Sequence, residues 1–495
     1  MVLPPVTNVG LASQENRASD HEKSSTFVKA NVLRVVVSLG VRYDKNDAVD
    51  GNGNQASKDD RISPRLSATY DVGGDGRFRF SGAYNEYVSR IVDGPGTSAQ
   101  SAGSPAYIFY AYQGPAINPA GTPVGELLDT RQALQVVFDW FQSQGGTSNL
   151  NLLRANSGHS VPGFDALISD SLSSPYVREF VLGFSTLIGN SAFVKIDGIA
   201  RDWKDFYGFR VDASTPQQVD PLGIPHDVAV VENTNDITRE YRGIQLQSAW
   251  RPNRFNVGFN YTYSTLEGND DQESATSGTV GNSPGNIFYP EILNYANRQP
   301  VGDLGQDQTH RLRTWVGYDV PLPPVFGAVN ISLLHSFDSG LSYSAIGSIN
   351  VQGTGTGAPT NLPYVSDSGT DTYYFSERGA FRLEDIHSTD LALNYSFPEI
   401  WKLQLFVQGE MLNVFDNQAI DAVNTSVTAS GNSANFESFN PFTTTNLIEC
   451  PQGTAAATCR TMGAHWQKGA SFGQPTGPAS YQTPRSYRFS VGLRF

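Results

Sequence analysis

Apolar and polar residues alternate with a period of two in segment after segment of this chain. Leu33, Val35, Val37, Leu39, Val41 and Tyr43 alternate with Arg34, Ser38, Gly40, Arg42 and Asp44. Phe255, Val257, Phe259, Tyr261 and Tyr263 alternate with Asn256, Gly258, Asn260, Thr262 and Ser264. Shorter runs of the same kind fall at 77–84, 179–185, 194–197, 329–333, 391–397 and 403–407. The chain ends on such a run. Tyr487, Phe489, Val491, Leu493 and Phe495 fall on one side of it, with Arg488, Ser490, Gly492 and Arg494 on the other. Successive side chains of a strand point to opposite faces, so each segment predicts a strand with one apolar and one polar face. About twelve such strands are expected, each near the ten residues of a membrane-crossing strand.

The connections carry a second pattern. Short turns at 73–76, 189–190, 251–253, 321–324 and 398–399 hold the Gly, Pro, Asn and Asp that tight turns require. They alternate with long stretches near 45–60, 91–174, 211–238, 268–307, 346–384 and 416–483. A soluble sandwich has no reason to keep its long loops at one end. A transmembrane β-barrel of the bacterial outer membrane does, with short turns inside and long loops outside. The last strand enters from the long stretch 416–483, so the C-terminus is expected on the periplasmic side. The strand 254–264 then climbs outward, with Val257 toward lipid and Asn256 toward the interior. An aromatic-tipped final strand suits a closing strand of such a sheet better than an exposed soluble edge.

One segment reads as a helix. Leu134, Val137, Phe138 and Phe141 recur at i, i+3, i+4 and i+7, with Asp129 or Thr130 as cap and Gly145-Gly146 as stop. It lies inside a long loop and is expected to pack that loop over the barrel mouth, the alternative being a lid or ligand-binding element.

Composition narrows the reading. Hydrophobic residues make up 39% of the 495, and no run approaches the 18 or so of a spanning helix, which argues against a helical membrane protein but not against half-apolar strands. The formal net charge of −14 disfavours nucleic acid as partner and, more weakly, a strongly anionic ligand. The two cysteines, Cys450 and Cys459, bound a loop short enough to close as a disulfide in an oxidising compartment, or remain free thiols. Neither lies in a CxxC or near a partner histidine, so no zinc site is expected.

The search for chemistry finds no GxSxG, HExxH or P-loop, so no catalytic residue, cofactor site or metal site is assigned and the chain is not expected to be an enzyme. Asp50-Gly-Asn52-Gly-Asn54 starts like a calcium loop but has Arg61 where the bidentate glutamate belongs, and reads as a polar turn. His310 and His387 fall at strand starts and are expected to serve structure. Tyr107, Phe109, Tyr110 and Tyr112 could stack on a sugar or aromatic ligand, although anchoring within their loop is the commoner role.

Several segments resemble the C-terminal barrel of TonB-dependent outer-membrane receptors, and of these the Oar-like branch most. They are Leu39-Gly-Val-Arg-Tyr-Asp-Lys-Asn46, Ser63-Pro-Arg-Leu66 with Tyr70-Asp71, Ser174-Pro-Tyr-Val-Arg-Glu-Phe180, Tyr241-Arg-Gly-Ile-Gln-Leu246, Tyr261-Thr-Tyr-Ser264, His310-Arg-Leu-Arg313, Asp390-Leu-Ala-Leu-Asn-Tyr395 and Leu412-Asn-Val-Phe415. The final strand also resembles the signature read by the barrel-assembly machinery, here Tyr487, Phe489, Val491, Leu493 and Phe495. The resemblance implies a 22-stranded barrel around an N-terminal plug, with TonB engaging the plug to power uptake of a ligand that fold does not identify.

The sequence departs from that pattern in lacking a plug, a TonB box, a signal peptide and the earlier strands, and Phe27–Arg34 looks shortened where the family has strand, turn and strand. Residues 1–25 are therefore expected to be a disordered or remnant segment, and 26–495 the C-terminal part of the barrel. The expected partners are outer-membrane lipid, the assembly machinery and TonB through the missing plug. Two alternatives stand beside this reading. One is a plugless passive channel, which an even strand count would permit. The other is a soluble all-β binding protein.

Overall fold

The computed structural model of the protein describes residues 23–495, except 33, 50–54, 89–107, 154–165, 169–172, 212–213, 221–222, 270–299, 351–369, 430–434 and 442–443. Thirteen strands follow one another in chain order across a single sheet. They are β1 (Lys23–Val32), β2 (Val35–Val49), β3 (Gln55–Asp71), β4 (Phe78–Val88), β5 (Tyr176–Ile188), β6 (Ala192–Lys204), β7 (Arg239–Trp250), β8 (Phe255–Gly268), β9 (His310–Val320), β10 (Ala328–Asp338), β11 (Ile386–Ser396), β12 (Gln404–Leu412) and β13 (Ser486–Arg494). Every neighbouring pair is antiparallel. The expected all-β meander is thus present, with one strand more than the approximate twelve.

The extra strand comes from the region expected to be shortened. Lys23–Val32 pairs along its whole length with Val35–Asp44, so a strand, a turn and a second strand do occur there. The segment of 1–22, most of the expected remnant, lies outside the described residues, while Lys23–Ser25 already belong to β1. A second difference concerns the connection expected near 45–60. β2 runs to Val49 and β3 starts at Gln55, so most of it is paired strand. Lys45, Asn46 and Asp47 opposite Lys58, Asp59 and Asp60 break the apolar alternation, which a hairpin needs only where one face meets an apolar medium.

Register carries the two faces across the sheet. One row of directly opposed residues reads Trp250, Val257, Val316, Leu333, Leu391, Met411 and Tyr487. The adjacent row reads Asn256, Gly317, Ser332, Ala392, Glu410 and Arg488. One step along every strand therefore exchanges an apolar surface for a polar or small one, as period two demands. The apolar face is uncovered: Leu182 is 74% exposed and Phe489 79%, with Leu39, Phe80, Ile244 and Leu393 also open. Aromatic rings edge this band. Phe255–Tyr318 and Tyr395–Phe397 pair near the short turns, Tyr84–Phe180 and Phe337–His387 near the long loops.

The short turns 72–77, 189–191, 251–254, 321–327 and 397–403 lie at one end and the long connections at the other, where β2 and β3 are joined by the shorter link 50–54. Gly189 and Asn253 take positive φ in their turns, the backbone that Gly and Asn tolerate best. On the polar face a Cβ at Gly258 would collide with the Trp315 ring, which lies over that glycine. The buried apolar core sits away from the sheet, among the long connections. Val211, Ala345, Ile349, Tyr373, Phe375, Val427, Phe439, Trp466 and Phe472 pack together there. Cys450 and Cys459 are bonded to each other and buried beside Phe436 and Ala464.

Candidate functional site

The polar face and the folded loops at its long-loop end are where a ligand would meet this chain. On the polar face the register sets Arg65, Asn85, Glu179, Arg201 and Tyr241 in one row across β3 to β7. Glu179 is only 6% exposed and is the hub. It accepts from Asn85 Nδ2 and Tyr87 OH at 3.2 Å and from Arg201 Nε at 2.7 Å. The Arg65 guanidinium stacks 4.4 Å from the Tyr87 ring centre. Arg313 pairs with Asp338 at 2.7 Å further along the sheet. These charge-assisted bonds satisfy a wall that faces water or a second polar surface. Sequence reading missed the row because its members lie far apart in the chain and meet only through register.

The loops above this wall are tied together by arginine. Arg378 is buried and donates Nε to Pro300 O and Nη2 to Asn269 O, both at 2.7 Å, over the Tyr374 ring. One guanidinium thereby joins Asn269 to Pro300. Arg382 reaches Asp307, which is 1% exposed, at 2.7 Å. Replacing Arg378 with alanine strands two carbonyls, at a cost of about 1–3 kcal/mol each where water cannot replace the donor. The expected result is faster protease cleavage between 269 and 300, with Arg378→Lys intermediate because a point ammonium cannot span both carbonyls. Equal cleavage of all three proteins would show that the clasp does not hold this stretch.

His465 lies in the same loop assembly. Its Nδ1 accepts the Ile448 N–H at 2.9 Å, and burial lowers its pKa below the ordinary 6.5, partly offset by Glu437. A base whose folded pKa is lowered takes up its proton first in the unfolded chain, so stability falls as pH drops below about 6.5. Loop proteolysis is therefore expected to be faster at pH 5 than at pH 7.5, and the difference to disappear in His465→Leu.

The other expected residues fall as follows. A helix, α1 (Thr130–Ser143), forms with Asp129 as its cap: the Asp129 side chain accepts from the Gln132 N–H, and Gln132 Oε1 accepts from the Asp129 N–H. Gly145 follows with φ 100°. Two of its aromatics meet its own loop, Phe141 against Tyr110 and Trp140 against Tyr112, whereas Leu134 and Phe138 of the apolar stripe are exposed and none of its residues is buried. Tyr110 and Tyr112 thus anchor the loop. Tyr107 and the calcium-like turn at 50–54 lie outside the described residues. His310 and His387 both sit on the apolar face, His310 Nδ1 2.8 Å from Tyr261 OH. Tyr487, Phe489, Val491, Leu493 and Phe495 are all exposed, the first four along one face of β13. Among the described residues no group of three or more His, Cys, Asp or Glu is placed to hold a metal ion.

No protein-family model matches this chain, and no curated protein does. Among solved structures it is similar to the outer membrane transporter YddB from Escherichia coli, at 14% identity and TM-score 0.45, over 83% of this chain and 43% of that one. It is similar to the FrpB iron transporter from Neisseria meningitidis at 12% identity and TM-score 0.42, over 81% and 41%. The ferric enterobactin receptor PfeA from Pseudomonas aeruginosa aligns at 11% identity and TM-score 0.43, over 96% and 45%. The chain spans less than half the length of each.

Proposed function

We propose that this chain is the C-terminal part of the barrel of a TonB-dependent outer-membrane receptor, whose complete form takes up a ligand across the bacterial outer membrane. The observation that carries the reading is the uncovered apolar face, edged by aromatic rings, on a meander whose short turns and long loops segregate to opposite ends. Water does not tolerate so large an apolar surface, and lipid requires it. That is the argument against the soluble alternative. The polar row around Glu179 suits a wall turned to a plug or to water. Residues 23–495 serve as barrel and loops, the plug and TonB contact belong to the parent, and the assembly machinery reads the final strand. Specificity lies in the long loops.

Strand parity separates this reading from the self-contained channel. Among the described residues, thirteen successive antiparallel strands leave β1 and β13 running parallel. Closing such a sheet on itself takes a parallel seam, whereas an odd number of further strands closes it antiparallel throughout. Translating the DNA upstream of Met1 in frame tests the proposal. A signal peptide, a plug and an odd number of further strands are expected. A promoter and stop codon immediately upstream, together with steady single-channel conductance from this chain in a planar bilayer, would replace the receptor with the channel.

A further inference from the structure

Two histidines face each other on the apolar side of the sheet near its long-loop end. His335 of β10 lies directly opposite Thr389 of β11, and His387 of β11 directly opposite Phe337 of β10. The two imidazoles are therefore diagonal neighbours on one face, and their ring centres are 6.4 Å apart. Each ring is oriented by a neighbour. His335 Nδ1 is 2.9 Å from the hydroxyl of Thr389, which is itself buried. His387 packs on the Phe337 ring at 4.9 Å and is exposed, and its side chain makes no hydrogen bond among the described residues.

With the proton on Nδ1 and donated to Thr389, the Nε2 of His335 keeps a free lone pair. Among the described residues no hydrogen bond engages either ring nitrogen of His387. We propose that His335 and His387 form a binding site for one borderline divalent cation, taken most tightly as Cu²⁺, that bridges β10 and β11. Metal–nitrogen bonds of about 2.0–2.1 Å bring two imidazole centres to about 5–6 Å, a small ring adjustment from the separation seen. Imidazole nitrogens suit copper, nickel and zinc, and copper leads that order. Among the described residues no acidic or thiolate ligand completes the site, so water fills the remaining positions and the ion exchanges freely. The hydroxyl of Thr389 acts as the outer-shell group that fixes the tautomer and orientation of a ligating histidine. Bound metal adds a cross-strand link at the rim of the apolar band and favours the folded sheet by mass action.

The test uses the full chain in detergent micelles, titrated with Cu²⁺ and read by electron paramagnetic resonance and by the urea midpoint of unfolding. A two-nitrogen copper signal and a raised midpoint are expected. Both vanish in His335→Ala and in His387→Ala. In Thr389→Val the site persists but binds about tenfold more weakly. His310→Ala leaves both readouts unchanged, because His310 is held by Tyr261 further along the same face. A two-nitrogen signal that survives in the His335→Ala/His387→Ala double variant would place the copper elsewhere and overturn the site. Sedimentation of the chain with outer membranes reports separately on the membrane reading, and failure there with copper binding intact would leave the pair as a metal site on another kind of sheet.

Discussion

Arginine in place of Leu182 is expected to cost about 2–4 kcal/mol of folding free energy in a bilayer, the penalty of a charge at mid-depth on the lipid side of a barrel. Leu182 is the middle residue of β5 and is 74% exposed on the apolar face. In water, arginine at an exposed strand position would cost a few tenths of a kcal/mol at most. The size of the effect therefore reports the solvent, not the packing. Asn256→Arg is the internal control, since Asn256 lies on the polar face opposite Gly317. It is expected to change stability by no more than about 0.5 kcal/mol. Urea unfolding of both variants in phosphatidylcholine vesicles, against the parent chain, makes the measurement. Equal destabilisation would mean that the two faces meet the same medium, and the membrane reading would fall with it.

The alternation that identifies Leu182 and Asn256 as opposite is visible without coordinates, because a half-buried strand imposes period two on its own sequence. The same holds for the turns, whose Gly, Asn and Pro are demanded by backbone geometry. Where neither constraint acts, the sequence is silent. The distal halves of β2 and β3 extend beyond the apolar band, so their charged residues show no alternation and resemble a loop. The row of Arg65, Asn85, Glu179 and Arg201 is a product of register, which no single strand encodes. His335 stands in a strand among apolar residues, and only pairing with β11 brings it toward His387. The loop core is the least legible part. Val211, Phe375, Phe439 and Trp466 come from three connections and carry no common period.

That core is where the second large effect is expected. Phe375 is 5% exposed and central to an aromatic cluster, with Tyr373 at 5.2 Å, Trp466 at 5.6 Å and Phe439 at 6.2 Å between ring centres. Phe375→Ala removes its buried surface and leaves a cavity that these rings cannot fill without losing one another, at a cost of about 3–5 kcal/mol. The cost falls on the loops, because none of these residues belongs to the thirteen strands. Strands of the sheet are held by their ladders and by the medium on the apolar face, whereas the connections 339–385 and 413–485 are held by this cluster. The variant is therefore expected to keep its sheet signal in far-ultraviolet circular dichroism and to lose near-ultraviolet signal from Trp466. Proteases should cut the two connections while leaving the strand region whole. A single cooperative loss of sheet and loop signals would instead mean that loops and sheet fold as one unit. The long-loop end of the molecule would then have no stability of its own.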